Sequence, residues 1–334
     1  MVLREDGSVW STPISLPGEF PSRGVSKHFN LMIEIGATAA AAGTGYSIVL
    51  KHDGSVWAAG RNTRGQLGDG TKERKGSFFL AMLITGAEDV AAGSYHSMIL
   101  TRHGGVWVTG WNKYGQLGDG LRAYRSRYFL VLDSEVEALA AGDSHSMVLK
   151  QDKSVWATGR NNNGQLGDGS KNDRNSYIKV VLSDAANVAA GGYHSMVLKE
   201  DGSVWATGWN EHGQLGDGST IDRSFYVRVV LSGAKAIAAG SRHSIVIKQD
   251  GSAWTTGYNK YGQPGDQWAT NSNIFVQVMS DGAKVVAAGA FHSMVIKEDG
   301  SVWAMGSNEY GQFGDGSTIS TKAFVRITPF DNGL

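Results

Sequence analysis

The chain contains no cysteine. That excludes a disulfide framework, a thiolate metal site and a cysteine nucleophile, although it does not choose a compartment. Proline is scarce, at 5 of 334 residues, which argues against a proline-rich linker. No apolar run approaches the ~18 residues that a membrane helix requires. Neither sign of charge dominates, because Lys+Arg and Asp+Glu are 31 each. No global field therefore draws the chain to nucleic acid or to an anionic membrane. The local cluster Arg122, Arg125 and Arg127 reads as a solvated loop. The start, Met1-Val2-Leu3-Arg4-Glu5-Asp6, lacks the basic and apolar segments of a signal peptide. A soluble protein is expected, its compartment open and the cell interior the first expectation.

What is abundant is repetition. Asp6-Gly7-Ser8-Val9-Trp10 returns at Asp53–Trp57, Asp201–Trp205, Asp250–Trp254 and Asp299–Trp303, with worn copies at His103–Trp107 and Asp152–Trp156. The steps between the seven tryptophans are 47, 50, 49, 49, 49 and 49 residues. Fixed periods of roughly 20–50 residues signal solenoids or propellers. Residues common to every copy then build the frame, and function is sought where the copies differ.

Within the unit 189–231, Ala189-Ala190-Gly191-Gly192-Tyr193-His194 is small and glycine-rich, suited to crowding around an axis. Ser195–Lys199 and Val204–Gly208 are β-favouring runs joined at Asp201-Gly202, a hairpin signal of the primed-turn type. Asn210–Gly218 is dense in turn formers, and Phe225–Leu231 is a further strand. The small-residue opening, with Ala236–Ala238 of the next copy, supplies a fourth. Four short antiparallel strands per unit, radially repeated, describe a propeller blade. The expected fold is all-β: one seven-bladed β-propeller over 1–334 with four-stranded antiparallel blades. The ring is expected to close through N- and C-terminal strands sharing one irregular blade, about 1–40 and 304–334. Ser11–Ala40 carries Pro13, Pro17 and Pro21 and no glycine-rich turn. The tryptophan beside valine at constant phase is expected to fill the core between blades.

Ala-Ala-Gly-x-x-His-Ser, the Asp-Gly hairpin and Trp-x-x-Gly-x-Asn-x-x-Gly-Gln-Leu-Gly-Asp-Gly, clearest at 189–218, 140–169 and 91–120, together resemble the repeat of the regulator of chromosome condensation family. The resemblance covers nearly the whole chain. It implies a rigid disc whose faces bind other proteins. Known members range from nucleotide exchange on Ran-type GTPases, with histone and DNA docking, to ultraviolet-B sensing in plants, parts of large ubiquitin ligases and bacterial β-lactamase inhibition. Fold alone does not select among these.

Five His-Ser pairs, from His96-Ser97 to His292-Ser293, invite a catalytic reading. A triad needs one nucleophile, one base and one acid in a single cleft, and five equivalent copies cannot each be that. Each histidine is expected to bond backbone at a blade junction, with Tyr46 standing in for one of them. The Asn and Asp of the glycine-rich motif form turns rather than calcium loops. No catalytic, metal or cofactor site is expected.

The dipeptides between the opening glycine and the histidine vary: Thr44-Gly45, Ser94-Tyr95, Asp143-Ser144, Gly192-Tyr193, Ser241-Arg242 and Ala290-Phe291. Sharing one phase, they are expected on one face of the disc. Tyr95, Asp143, Ser144, Tyr193, Arg242 and Phe291 are the candidate protein-binding residues; Tyr95, Tyr193, Arg242 and Phe291 are of types enriched at binding hot spots. None is tryptophan, which argues against photoreception by the plant mechanism. The family's exchange factors carry acids at these phases, and only Asp143 matches. Three tryptophans, Trp111, Trp209 and Trp268, fall off the period. The loops after Gly-Asp-Gly, from Lys72–Ser77 to Gln267–Asn273, carry Arg74, Arg125, Arg174 and Arg223 and form a second variable surface. The expected function is a monomeric, non-enzymatic interaction scaffold. The alternatives are guanine-nucleotide exchange on a Ran-type small GTPase and an enzyme-inhibitory propeller.

Overall fold

The computed structural model describes residues 2–3, 7–11, 30–33, 36–181, 183–260 and 271–327. Every regular element there is a β-strand, and no helix is long and apolar enough to cross a membrane. The chain divides into two compact units. One comprises 1–25, 30–161 and 172–183, the other 26–29, 162–171 and 184–334.

Six four-stranded antiparallel sheets follow one plan, spanning 37–83, 87–132, 136–181, 185–230, 234–279 and 283–327. In the fourth of these, Ala185–Ala190 is innermost, followed by His194–Lys199, Val204–Gly208 and the outer Arg223–Val230. Ala234–Ala239 pairs with His243–Lys248, so the small-residue strand opens its own blade. These are propeller blades. A three-stranded sheet of Val2–Leu3, Val9–Ser11 and Asn30–Ile33 precedes them. The expected sharing of one blade by 1–40 and 304–334 is corrected for the described part: Thr321–Ile327 pairs with Val302–Gly306, the tryptophan strand of its own repeat. A local antiparallel return needs no long closure and wins. The prolines of Ser11–Ala40, and 328–334, lie outside the described residues.

The Asp-Gly-Ser-x-Trp phrase is a hydrogen-bonded relay. Ser55 donates its backbone N–H (2.9 Å) and its hydroxyl (2.5 Å) to Asp53 Oδ1, and Trp57 Nε1 donates to Ser55 Oγ at 2.8 Å. The turn differs from the primed type. Gly202 N bonds Lys199 O at 2.9 Å, and only the glycine, at φ 74°, is left-handed. That is a type I turn followed by a glycine bulge, because the aspartate is held by the serine N–H and keeps negative φ. The worn copy places Lys153 at φ 62° in the same position.

The core is valine and alanine flanking the tryptophan: Val56, Ala58, Val155, Ala157, Val204 and Ala206 are fully buried. The tryptophans themselves are half-buried, which corrects the expectation of simple core filling. Within the first unit Trp57 packs on Val9, Ile33 and Val49, and Trp107 on the cluster of Ile48, Leu50 and Val56. Both thus reach the preceding sheet, and a lysine lies over members of the series, as Lys51 does over Trp57 at 4.8 Å and Lys248 over Trp254 at 4.0 Å.

Blades are joined by the His-Ser pairs. His96 Nε2 lies 2.9 Å from Ser146 Oγ of the next blade, and that hydroxyl donates to Gln116 O at 2.7 Å. His194, Ser244 and Gln214 repeat this in the second unit at 2.8 and 2.7 Å. Since the serine proton goes to the carbonyl, the imidazole donates from Nε2. The histidines therefore reach backbone through a hydroxyl rather than directly. Tyr46, buried, spans the same junction with its hydroxyl 2.9 Å from Gly93 O and 2.5 Å from His96 O.

The glycine of each opening is required by this joint. A Cβ on Gly93 would lie 2.3 Å from the His96 ring and 2.4 Å from Gly142 O, and Gly191 and Gly240 are equally confined. Gly93→Ala should cost at least about 1–3 kcal/mol, whereas Gly76→Ala, with nothing within 4 Å, should be near neutral. Denaturant midpoints compare them, and equal values would refute the joint.

Burial holds the pKa of His96 and His243 down to about 3 and that of His145 to about 4, against about 6.5 in the unfolded chain. Between those values the unfolded state binds protons that the folded state refuses. Their stabilisation is complete above pH 6.5 and is lost as pH falls toward 4, at about 1.4 kcal/mol per histidine per pH unit. Melting temperature should drop steeply between pH 6.5 and 4.5. His243→Gln, retaining an N–H for Ser293, should flatten that slope; an unchanged slope would contradict it.

Candidate aromatic and cationic recognition surface

Each turn carrying a variable dipeptide is tied to a second variable residue. Trp111 N donates to Tyr95 O at 2.8 Å, Arg160 N to Ser144 O at 2.9 Å and Trp209 N to Tyr193 O at 2.8 Å. Arg61 with Gly45, Tyr258 with Arg242 and Ser307 with Phe291 complete the set. The partner is always the residue between glycine and asparagine in Trp-x-x-Gly-x-Asn. Its asparagine neighbour is buried scaffold: Asn210 Nδ2 donates to Asp217 Oδ1 at 3.0 Å and its Oδ1 accepts Leu215 N at 3.0 Å. The motif's Asn and Asp are thus engaged in holding turns.

In the first unit, Tyr95 meets Trp111 edge-on with centroids 5.6 Å apart, and Trp111 meets Tyr114 at 5.3 Å. Arg61 lies over Tyr95 at 5.0 Å, and Arg160 over Tyr114 at 4.9 Å. In the second, Tyr193 meets Trp209 at 5.9 Å, Trp209 meets His212 at 5.0 Å, and His212 meets Tyr258 at 4.9 Å. Tyr258 and Phe291 follow at 6.2 Å, and Arg242 sits 5.5–5.7 Å from Trp209, Tyr258 and Phe291. Partial burial, then Arg242, lower the His212 pKa, with Glu211 opposing. Such ring pairs contribute about 0.5–1.5 kcal/mol each beyond their burial. The turns are therefore braced before any partner arrives.

Four of the six expected residues, Tyr95, Tyr193, Arg242 and Phe291, join these clusters. Ser144 does not: it is 4% exposed, although its carbonyl accepts the same backbone bond from Arg160. Asp143 instead ends a hydroxyl chain, Thr44 Oγ1 to Ser94 Oγ at 3.2 Å and Ser94 Oγ to Asp143 Oδ1 at 2.7 Å. Sequence reasoning missed Arg61, Arg160 and Tyr258. Trp111 and Trp209 were visible only as off-period tryptophans, while Trp268 lies outside the described residues. The signal for all of them is variation at one position inside an otherwise repeated motif. Of the second variable surface, Arg125 and Arg223 bind the repeat aspartates Asp119 and Asp217 at 2.8 and 2.7 Å, which gives them a structural task; most of Gln267–Asn273 lies outside the described residues.

The RCC1-like domain profile matches residues 132–332, and regulator of chromosome condensation repeats match 53–100 and 87–116. The chain belongs to the RCC1-like domain family. Human WBSCR16 has a similar structure, with a TM-score of 0.83 and 23% identity over 96% of this chain and 89% of that one. Prp20p from Saccharomyces cerevisiae gives 0.80 and 22%, over 95% and 85%. At such identities the likeness is one of fold. Comparison with curated protein sequences finds no significant match.

Proposed function

We propose that the chain is a non-enzymatic protein-interaction module that binds a partner through its variable turns and their Gly-x-Asn neighbours. The same reading takes the three-stranded sheet as a seventh blade of one monomeric domain. The observation that supports it is the recurring backbone bond that sets one variable residue beside another on a repeated frame. Tyrosine, tryptophan and arginine fill those places, the residue types that dominate interface energetics. Replacing Tyr193 and Phe291 together by alanine should leave the circular dichroism spectrum unchanged. Capture of the partner, identified by pull-down and mass spectrometry from the source cell, should weaken at least about tenfold. Undiminished capture would remove this surface from consideration.

A second reading, acceleration of GDP release from a Ran-type small GTPase, draws on Asp143 and on Prp20p, a protein described by its binding to Gsp1p and histones. Asp143 is the one acid among the twelve dipeptide positions. Nucleotide release from a GTPase panel, accelerated by the chain and abolished by Asp143→Ala, would favour it. An enzyme inhibitor would use the same surface.

A further inference from the structure

The surface of the first unit carries cations whose charge no carboxylate answers. Arg61, Arg64 and Lys72 form no ion pair among the described residues, whereas the nearby Lys75 and Arg125 are bound to Asp69 and Asp119. What holds the unanswered cations is a run of rings. Arg61 covers Tyr95 and its Nη1 donates to the Tyr95 hydroxyl at 3.3 Å. Arg64 lies over Trp111 at 5.9 Å and over Tyr124 at 5.5 Å, and Lys72 over Tyr124 at 5.5 Å. Trp111 Nε1 donates to the Tyr124 hydroxyl at 2.9 Å, locking the two rings together. Arg64 and Lys72 are exposed.

From this geometry we infer that the Arg61–Arg64–Lys72 patch recognises an extended acidic segment of a partner protein; the inference rests on the interaction-module reading and names the partner's chemistry. A guanidinium on a ring face keeps its in-plane N–H groups directed outward, and these match carboxylates two at a time. Stacking also fixes the long side chains beforehand, so binding forfeits less rotamer freedom. Nucleic acid fits less well. A strand of bases needs open ring faces as stacking platforms, and here cations lie over Tyr95, Trp111 and Tyr124. Asp143, in the same unit, accepts the Ser94 hydroxyl.

The test uses the full chain and a short fluorescein-labelled peptide of alternating Glu and Ser, followed by anisotropy at physiological salt. Saturable binding is expected, absent for the counterpart with Gln in place of Glu, and weakened by about tenfold or more in Arg64→Gln/Lys72→Gln. Both side chains are exposed, so that variant should melt with the parent protein. No saturable binding, equal binding of the Gln peptide, an unaffected variant, or tighter binding of an oligothymidine would each overturn the inference. The pull-down separates the two claims. A partner captured equally by parent and variant, and not displaced by the Glu peptide, would refute the acidic-segment inference alone; no partner captured by the parent would refute the broader reading.

Discussion

The close approach of backbone across each blade junction is the constraint on which the rest depends. A histidine ring from one repeat lies against the glycine of its own opening and reaches a serine hydroxyl of the next repeat, which is itself bound to a carbonyl. Every member of that chain is buried, so an unmade bond would cost about 1–3 kcal/mol. Replacement is possible only by a group that spans the same gap. Tyr46 is such a group, longer than histidine and bonded to backbone directly. The repeat thus tolerates a change of chemistry at the joint but not a change of volume at the glycine.

Rigidity there is what frees the adjoining positions. Between the opening glycine and the histidine the chain must turn, and its carbonyl is claimed by the residue after the tryptophan-strand glycine. Backbone is thereby settled without help from either side chain. Both positions can vary without unfolding the blade. Aromatic and cationic residues gather there.

Much of the frame was legible in the sequence, because the Trp period, the Asp-Gly turns and the Gly-Gln-Leu-Gly motif each carry a local physical demand. The hairpin type was not: two positive φ values were expected, but the Asp53 carboxylate holds the Ser55 N–H and leaves a single left-handed glycine. Nor was the pairing at the C-terminal end: Thr321–Ile327 is expected in a blade shared with N-terminal strands but pairs with Val302–Gly306, by a proximity that a repeat count cannot reveal. The candidate surface was half legible. Tyr95, Tyr193, Arg242 and Phe291 stood out as variation in phase, but their neighbours Trp111, Trp209 and Tyr258 sit about sixteen residues further on and meet them only through strand pairing. Ser144 was misjudged: it is buried although its turn makes the same backbone bond as the others.

The two units then differ in what the same geometry presents. In the first, three cations that form no ion pair among the described residues lie over a run of rings, so the outward chemistry is that of N–H donors. In the second, one arginine serves three rings, and a histidine with a lowered pKa lies between Trp209 and Tyr258. Apolar edge area dominates there, with little charge to steer an encounter. Electrostatic attraction mainly sets association rate and partner choice, while desolvated aromatic contact mainly sets residence.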